Sequence, residues 1–237
     1  MSDTYRPITA PGVWVPTTPP IQEQYARAKP WVLKSANQFR PGPPPSLTTA
    51  EYARDYNETK SLGGAKSVAR TAEQTALVRF WPTPSLALGW QSAERQLAVA
   101  RELPLDECAR LFALMNMASA NSFITDWDAK FTYNFWRPVT AIRNGDQDGN
   151  DATERDASWT PLAPTPMYPE YPNVAVTIAD PADSKRTRSL TVSQIAEEHN
   201  NVRIWGGIHF RNSLEVATEM GRKIAGYLVA NVITPAR

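Results

Sequence analysis

PLDECARLFALMNMASANSFITDWDAKFTYNFWRP, residues 104–138, decides the fold. Proline heads the stretch, where a first helical turn needs no N–H donor. Leu105, Cys108, Leu111, Phe112 and Met115 then recur at helical spacing. The pattern predicts one long helix from Pro104 through Trp136, interrupted by Pro138 and followed by a short segment that closes at Asn144-Gly145. Cys108 reads as a buried structural thiol on its apolar face.

Helical signals continue on both sides. Thr48 or Thr49 is placed to cap a helix ending at Gly63-Gly64, and Ser67 to cap one ending at Trp81, before Pro82. Ser85 opens a third, with Leu88, Gln91, Arg95 and Val99 along a mixed face. Two closing helices are expected, from near Thr191 to Arg203 and from near Ser213 to Val232. Asn212 with Glu215 marks the start of the second, and Val216, Met220, Ile224 and Leu228 form its buried stripe. Strand-like alternation is scarce and no internal repeat is present, so the expected class is all-α, a helical bundle.

Residues 1–46 are dense in proline, which rules out a long helix and predicts an extended arm. Trp14, Trp31, Val32, Leu33 and Phe39 within the arm imply packing against the helical domain, expected at 47–237, because a flexible linker has no need of them. The segment GDQDGNDATERDASWTPLAPTPMYPEYPN, 145–173, reads as loop. Its acidic run resembles a calcium loop, but Asp151 falls where the turn needs glycine and Ala157 where a bidentate glutamate is needed.

Composition narrows the functional classes. With 237 residues and 42% hydrophobic content, the chain can bury a substantial core. A net charge of +1 gives no global field to attract nucleic acid, so any basic site is local. One cysteine and two histidines exclude a disulfide within the chain and a three-histidine metal site. No apolar run reaches membrane-spanning length, and the start MSDTYRP has no secretory core, so a soluble chain is expected. A trimmed form of a longer exported protein would look the same.

Four residues carry chemistry. Lys130 and Arg137 lie seven apart, so on a continuous helix both would face one side, roughly 10.5 Å apart along the axis. Arg203 and His209 flank the turn Gly206-Gly207 just before a helix start, a setting that favours anions. Arginine grips two oxygens with a planar fork, lysine adds a compact charge, and histidine can bond to or ligate the central atom. The set reads as a cage for a tetrahedral oxyanion such as phosphate or vanadate. Solvated surface cations and a core histidine are the plain alternative.

KFTYNFWRP (130–138) and RIWGGIH (203–209) resemble the first and third signature motifs of the superfamily of type 2 phosphatidic acid phosphatases (PAP2) and vanadium-dependent haloperoxidases. Flanking segments such as YRPITAPGVWVP, RTAEQTALVRFW and WTPLAPTPMYPEYP are similar to its bacterial haloperoxidase-like branch, so nearly the whole chain takes part. The resemblance implies a helical bundle in which Lys130, Arg137 and Arg203 bind the oxyanion's oxygens. It makes His209 the vanadium ligand of a peroxidase, or the phosphoryl-accepting nucleophile of a phosphatase. The implied cofactor is vanadate, with phosphate able to occupy the same site. The implied small molecules are hydrogen peroxide and halide, or a phosphoester. Members of the branch are often exported.

The departures from the pattern are as specific. The middle motif Pro-Ser-Gly-His is expected after the stretch at 168–171, where this chain has Pro172-Asn173-Val174-Ala175. Asn173 thus replaces the oxyanion-binding serine and Ala175 the acid–base histidine. Only about thirty residues then lead to Arg203, which favours a deletion over point changes. Ser213 stands where many members place the aspartate that orients the histidine. His199, one turn before Arg203, is expected to be partly exposed and not a replacement for the lost group. Helices that members carry before YRPITAP are not in this chain, and a homodimer would cover the apolar surface left behind.

Overall fold

Helix α4 (Leu105–Tyr133) forms the spine of the computed structural model, which describes residues 9–16, 19–81, 86–173 and 192–232. Around it stand α1 (Ala50–Gly63), α2 (Ala72–Phe80), α3 (Leu86–Ala100), α5 (Pro138–Arg143), α6 (Val192–Trp205) and α7 (Arg211–Asn231), with 3-10 turns at Glu23–Arg27 and Gly145–Gln147. Extended pairing among the described residues is limited to isolated bridges, Val13 with Phe135 and Gly64 with Pro161. The chain is all-α. No helix among the described residues is long and apolar enough to cross a membrane.

Side-chain capping sets the starts of α1 and α2. Thr49 caps α1, its hydroxyl accepting the Tyr52 N–H at 3.2 Å. Helix α2 starts at Thr71 and not at Ser67, because Gln74 completes a reciprocal box: Thr71 Oγ1 accepts the Gln74 N–H, and Gln74 Oε1 accepts the Thr71 N–H. Ser67 instead donates to the Ser61 carbonyl at 2.6 Å. Helix α7 begins earlier than Ser213 and without a box from Asn212 and Glu215. Asp55 of α1 accepts the Asn212 N–H at 2.7 Å, so a neighbouring helix supplies the carboxylate that the first turn needs. Ser85, Thr191, Val174 and Ala175 lie outside the described residues.

Helix α1 packs on α5, α6 and α7, and α4 on α3, α7 and the Glu23–Arg27 turn. An aromatic core of Tyr52, Tyr56, Phe135, Trp136, Trp159 and Phe210 fills the junction around α1 and α5. The stripe of α7 is Leu214, Ala217, Met220, Ile224 and Leu228, with Val216 only half-buried. Each large apolar side chain buried this way contributes about 1.5–3 kcal/mol.

The proline-rich arm is tied down at intervals. Trp14 is buried, and its N–H donates to the Asn134 carbonyl at 2.8 Å. Asn121 Oδ1 accepts the N–H groups of Val32 and Leu33, and Arg40 grips Asp128 with two bonds of 2.6 and 2.8 Å. Trp31, by contrast, is 77% exposed. Cys108 is half-buried, not fully buried, and its Sγ donates to the Leu103 carbonyl. The beginning of α4 is less enclosed than its end, and Leu105 there is 87% exposed.

Candidate functional site

Lys130 and Arg137 do not share a helix. Asn134 takes the left-handed conformation, φ 48° and ψ 42°, and ends α4 with its N–H on the Lys130 carbonyl. Pro138 then opens α5 and holds Arg137 in the extended region, φ −80° and ψ 155°. The two cations therefore meet across a helix break, not along a continuous face. Both are buried, at 0% and 1% exposure, and both lie over the ring of Tyr168, at 5.3 and 4.9 Å from its centroid.

Arg137 is the hub. Its Nε donates to the Tyr168 carbonyl at 2.9 Å, and its Nη1 donates to the Ile208 carbonyl at 2.8 Å and to His209 Nε2 at 3.1 Å. Lys130 is committed differently. Its ammonium donates to the carbonyls of Pro169, Glu170 and Pro172, so it reaches the site as a charge and not as an available donor. Burial pushes Lys130 down to about 7, with Arg137 adding to the effect, and pushes Arg137 down to about 10.

The other wall is the turn between α6 and α7. Gly207 has φ +74°, and a Cβ there would lie 2.5 Å from the Gly63 carbonyl oxygen, so only glycine lets the turn sit against the end of α1. The turn delivers His209, 2% exposed. Arg203, in the last turn of α6, is buried too, and its Nη2 donates to His199 Nε2 at 2.9 Å. His199 is buried at 4% exposure, contrary to the expectation of a partly exposed side chain, because its ring packs edge-on against Trp81. Its basicity is well below the usual imidazole range, through burial and then Arg203. His209 is depressed likewise, by burial and then by Arg137, Lys130 and Arg203.

Sequence reasoning missed Glu170. Its Oε1 accepts from His209 Nδ1 at 2.7 Å and from the Phe210 N–H at 3.0 Å, and the residue is fully buried. Burial raises its carboxyl to about 7 against the opposing pull of Arg137, the Phe210 N–H and Lys130. The available signal was a single acid inside the aromatic and proline segment YPEYP, 168–172. In the acidic run 146–151, Asp148 is committed locally: its carboxylate accepts from the Thr153 hydroxyl and the Asn150 N–H.

Buried donors of this region without a hydrogen-bond partner among the described residues include Arg137 Nη2, Arg203 Nε and Asn173 Nδ2. Buried donors are normally paired. Two guanidinium N–H groups and an amide, with a neutral imidazole at 3.1 Å from one guanidinium, form a donor set that fits a tetrahedral oxyanion. Asn173 is anchored by its own N–H on the Ser213 carbonyl at 3.1 Å.

Comparison with known proteins agrees with the architecture. The family model for the VCPO second helical-bundle domain matches residues 110–182 and 173–235, together more than half of the chain. Vanadium chloroperoxidase of Curvularia inaequalis is 29% identical over 153 aligned residues, 53% of this chain and 24% of that protein. The crystal structure of the first bacterial vanadium-dependent iodoperoxidase superposes with a TM-score of 0.77 at 25% identity, covering 97% of this chain and 63% of that one. The holo form of a bacterial vanadium-dependent chloroperoxidase shares the fold, with a TM-score of 0.71 at 16% identity over 95% of this chain and 63% of that one. The chain thus spans less than two thirds of these solved relatives and about a quarter of the fungal protein. From the match of its second half and the superposition of nearly all of it, the chain belongs to the superfamily of vanadium haloperoxidases and type 2 phosphatidic acid phosphatases.

Proposed function

We propose that the chain binds vanadate, or phosphate in its place, among Arg137, Arg203, Asn173 and His209, with Lys130 as a buried supporting charge. The observation that carries this reading is the set of buried donors without partners, Arg137 Nη2, Arg203 Nε and Asn173 Nδ2. Bound vanadate would supply Lewis-acid activation of hydrogen peroxide for halide oxidation. The chain's own residues would hold it. Both guanidinium forks present fixed donors in a water-poor site, where such groups stabilise charge without reorganisation. His209 carries its lone pair on Nε2, the nitrogen that accepts from Arg137, and bonding to the anion's central atom would take the place of that contact. The Asn173 amide takes the donor role of the motif serine.

Proton transfer is the weak point. Ala175 stands at the acid–base position in sequence, and the one other imidazole, His199, has its Nε2 turned to Arg203. Loss of a general acid–base lowers rates by about 10²–10⁴-fold, so slow turnover with intact binding is expected. Phosphomonoester hydrolysis is the second reading, favoured by the same neutral His209 with its Nε2 lone pair toward Arg137, the form a nucleophilic histidine needs.

Titration of vanadate and of phosphate, followed by melting temperature, tests the binding. At a hundred times Kd the native state gains about 2.7 kcal/mol. An unchanged melting temperature at millimolar concentrations of both anions would overturn the reading. Bromination of a phenolic dye with bromide, peroxide and vanadate then separates peroxidase from phosphatase, with His209→Ala as the inactive control.

A further inference from the structure

We propose that Glu170 is the positioning residue of His209, taking over from the loop the part that the resemblance assigns to a carboxylate at position 213 of α7. The inference deepens the oxyanion reading and rests on it for the effect on anion binding. The hydrogen-bond arrangement itself belongs to the protein alone.

The tautomer follows from donor chemistry. An arginine only donates, so the contact between Arg137 Nη1 and His209 Nε2 makes Nε2 the acceptor and places the ring proton on Nδ1. That proton points at Glu170 Oε1, 2.7 Å away. The same oxygen accepts the N–H of Phe210 at 3.0 Å. One carboxylate oxygen therefore grips the ring and the adjacent backbone together, which fixes the plane of the imidazole relative to the chain that carries it.

The loop holding Glu170 is anchored on three sides. The Glu170 N–H donates to the Phe135 carbonyl at 2.9 Å, Lys130 gathers the carbonyls of Pro169, Glu170 and Pro172, and the Asn173 N–H reaches the Ser213 carbonyl at 3.1 Å. Ser213 is itself buried beside Glu170, whose carboxyl its hydroxyl helps to hold down, and the ring nitrogen Nδ1 bonds to Glu170 and not to the α7 position. The orienting acid and the Asn173 amide sit three residues apart on one segment. They are placed together.

The test reads the imidazole nitrogens directly. The chain has two histidines, so a ¹⁵N spectrum contains two rings, and His199→Phe assigns them. In the protein without added anion, His209 is expected as a single Nδ1–H form with a strongly downfield ring proton. Glu170→Leu should lose that proton signal and weaken vanadate binding about 10–100-fold, the usual effect of removing a group that orients a ligand. Adding Ser213→Asp to Glu170→Leu should restore both in part. Should Glu170→Leu fail to fold, Glu170→Gln, which keeps an acceptor, should retain the Nδ1–H form with its proton shifted upfield. An Nε2–H form or a tautomer mixture in the unmutated protein overturns the proposal. So does a Glu170→Leu variant with unchanged proton signal and affinity, or a double variant without rescue. Failure of the unmutated protein to bind any anion would defeat the oxyanion reading while leaving the spectroscopic result to stand alone.

Discussion

The two ends of α4 differ sharply. Its last turns, with α5, the loop at 168–173 and the turn at 206–209, enclose Asp126, Lys130, Arg137, Glu170, Arg203 and His209, all buried. Its first turns and α3 carry exposed apolar side chains, with Val99 at 78% and Leu105 at 87% exposure. Burying so many ionisable groups is costly unless they are paired and fixed, and the fixing comes from close backbone approaches and capped carbonyls. The architecture therefore gathers its buried ionisable groups at one end of α4 and leaves apolar surface exposed at the other.

The largest break in that contrast should come from Gly207→Ala. The positive φ and the contact of a new Cβ with the Gly63 oxygen are expected to destabilise by about 3–5 kcal/mol in urea denaturation, or to prevent folding. Next is Asn121→Ala, midway along α4. Losing one carboxamide oxygen strands the N–H groups of Val32 and Leu33 and should cost about 2 kcal/mol by the same measurement, with the arm more open to proteolysis.

A pH-dependent difference is expected from His199→Phe. His199 is held neutral in the native state, whereas the unfolded chain protonates it below about pH 6.5. The unfolded state then binds the extra proton, so this group's contribution, intact above pH 6.5, is lost as pH falls from there toward the native value. Relative to the unmutated protein, the variant should gain up to about 1.4 kcal/mol per pH unit between pH 6.5 and 5, read from paired melting curves. A constant offset would show that His199 is not neutral in the native fold.

The smallest effects belong to the exposed end and the outer faces. Gly221→Ala on α7, where an added Cβ meets nothing within 4 Å, should stabilise by about 0.5–1 kcal/mol. Leu105→Ser should stay within about 0.5 kcal/mol.

Sequence was informative where chemistry is local. The Thr49 cap, the helical run after Pro104 and the cation and histidine motifs depend on residues close in the chain, and spacing makes such features visible. It failed where one residue redirected the backbone or a distant one intervened. Asn134 in the left-handed region turned a presumed shared helix face into a break. Gln74 moved the start of α2 from Ser67 to Thr71, and Asp55 replaced the expected local cap of α7 from 157 residues away. Glu170 lies 39 residues from His209, in a proline-rich segment without periodicity. No pattern in the chain connects the two.

Lys130 has a consequence beyond its charge. Carbonyl oxygens turned inward around a common point are the setting in which proteins hold potassium or sodium. Here the carbonyls of Pro169, Glu170 and Pro172 surround an ammonium carried on α4. The helix thus provides a tethered counterpart of an alkali ion, one that cannot dissociate or exchange. The hold on the segment bearing Glu170 and Asn173 is therefore tied to the proton on Lys130, whose basicity burial has pushed down to about 7.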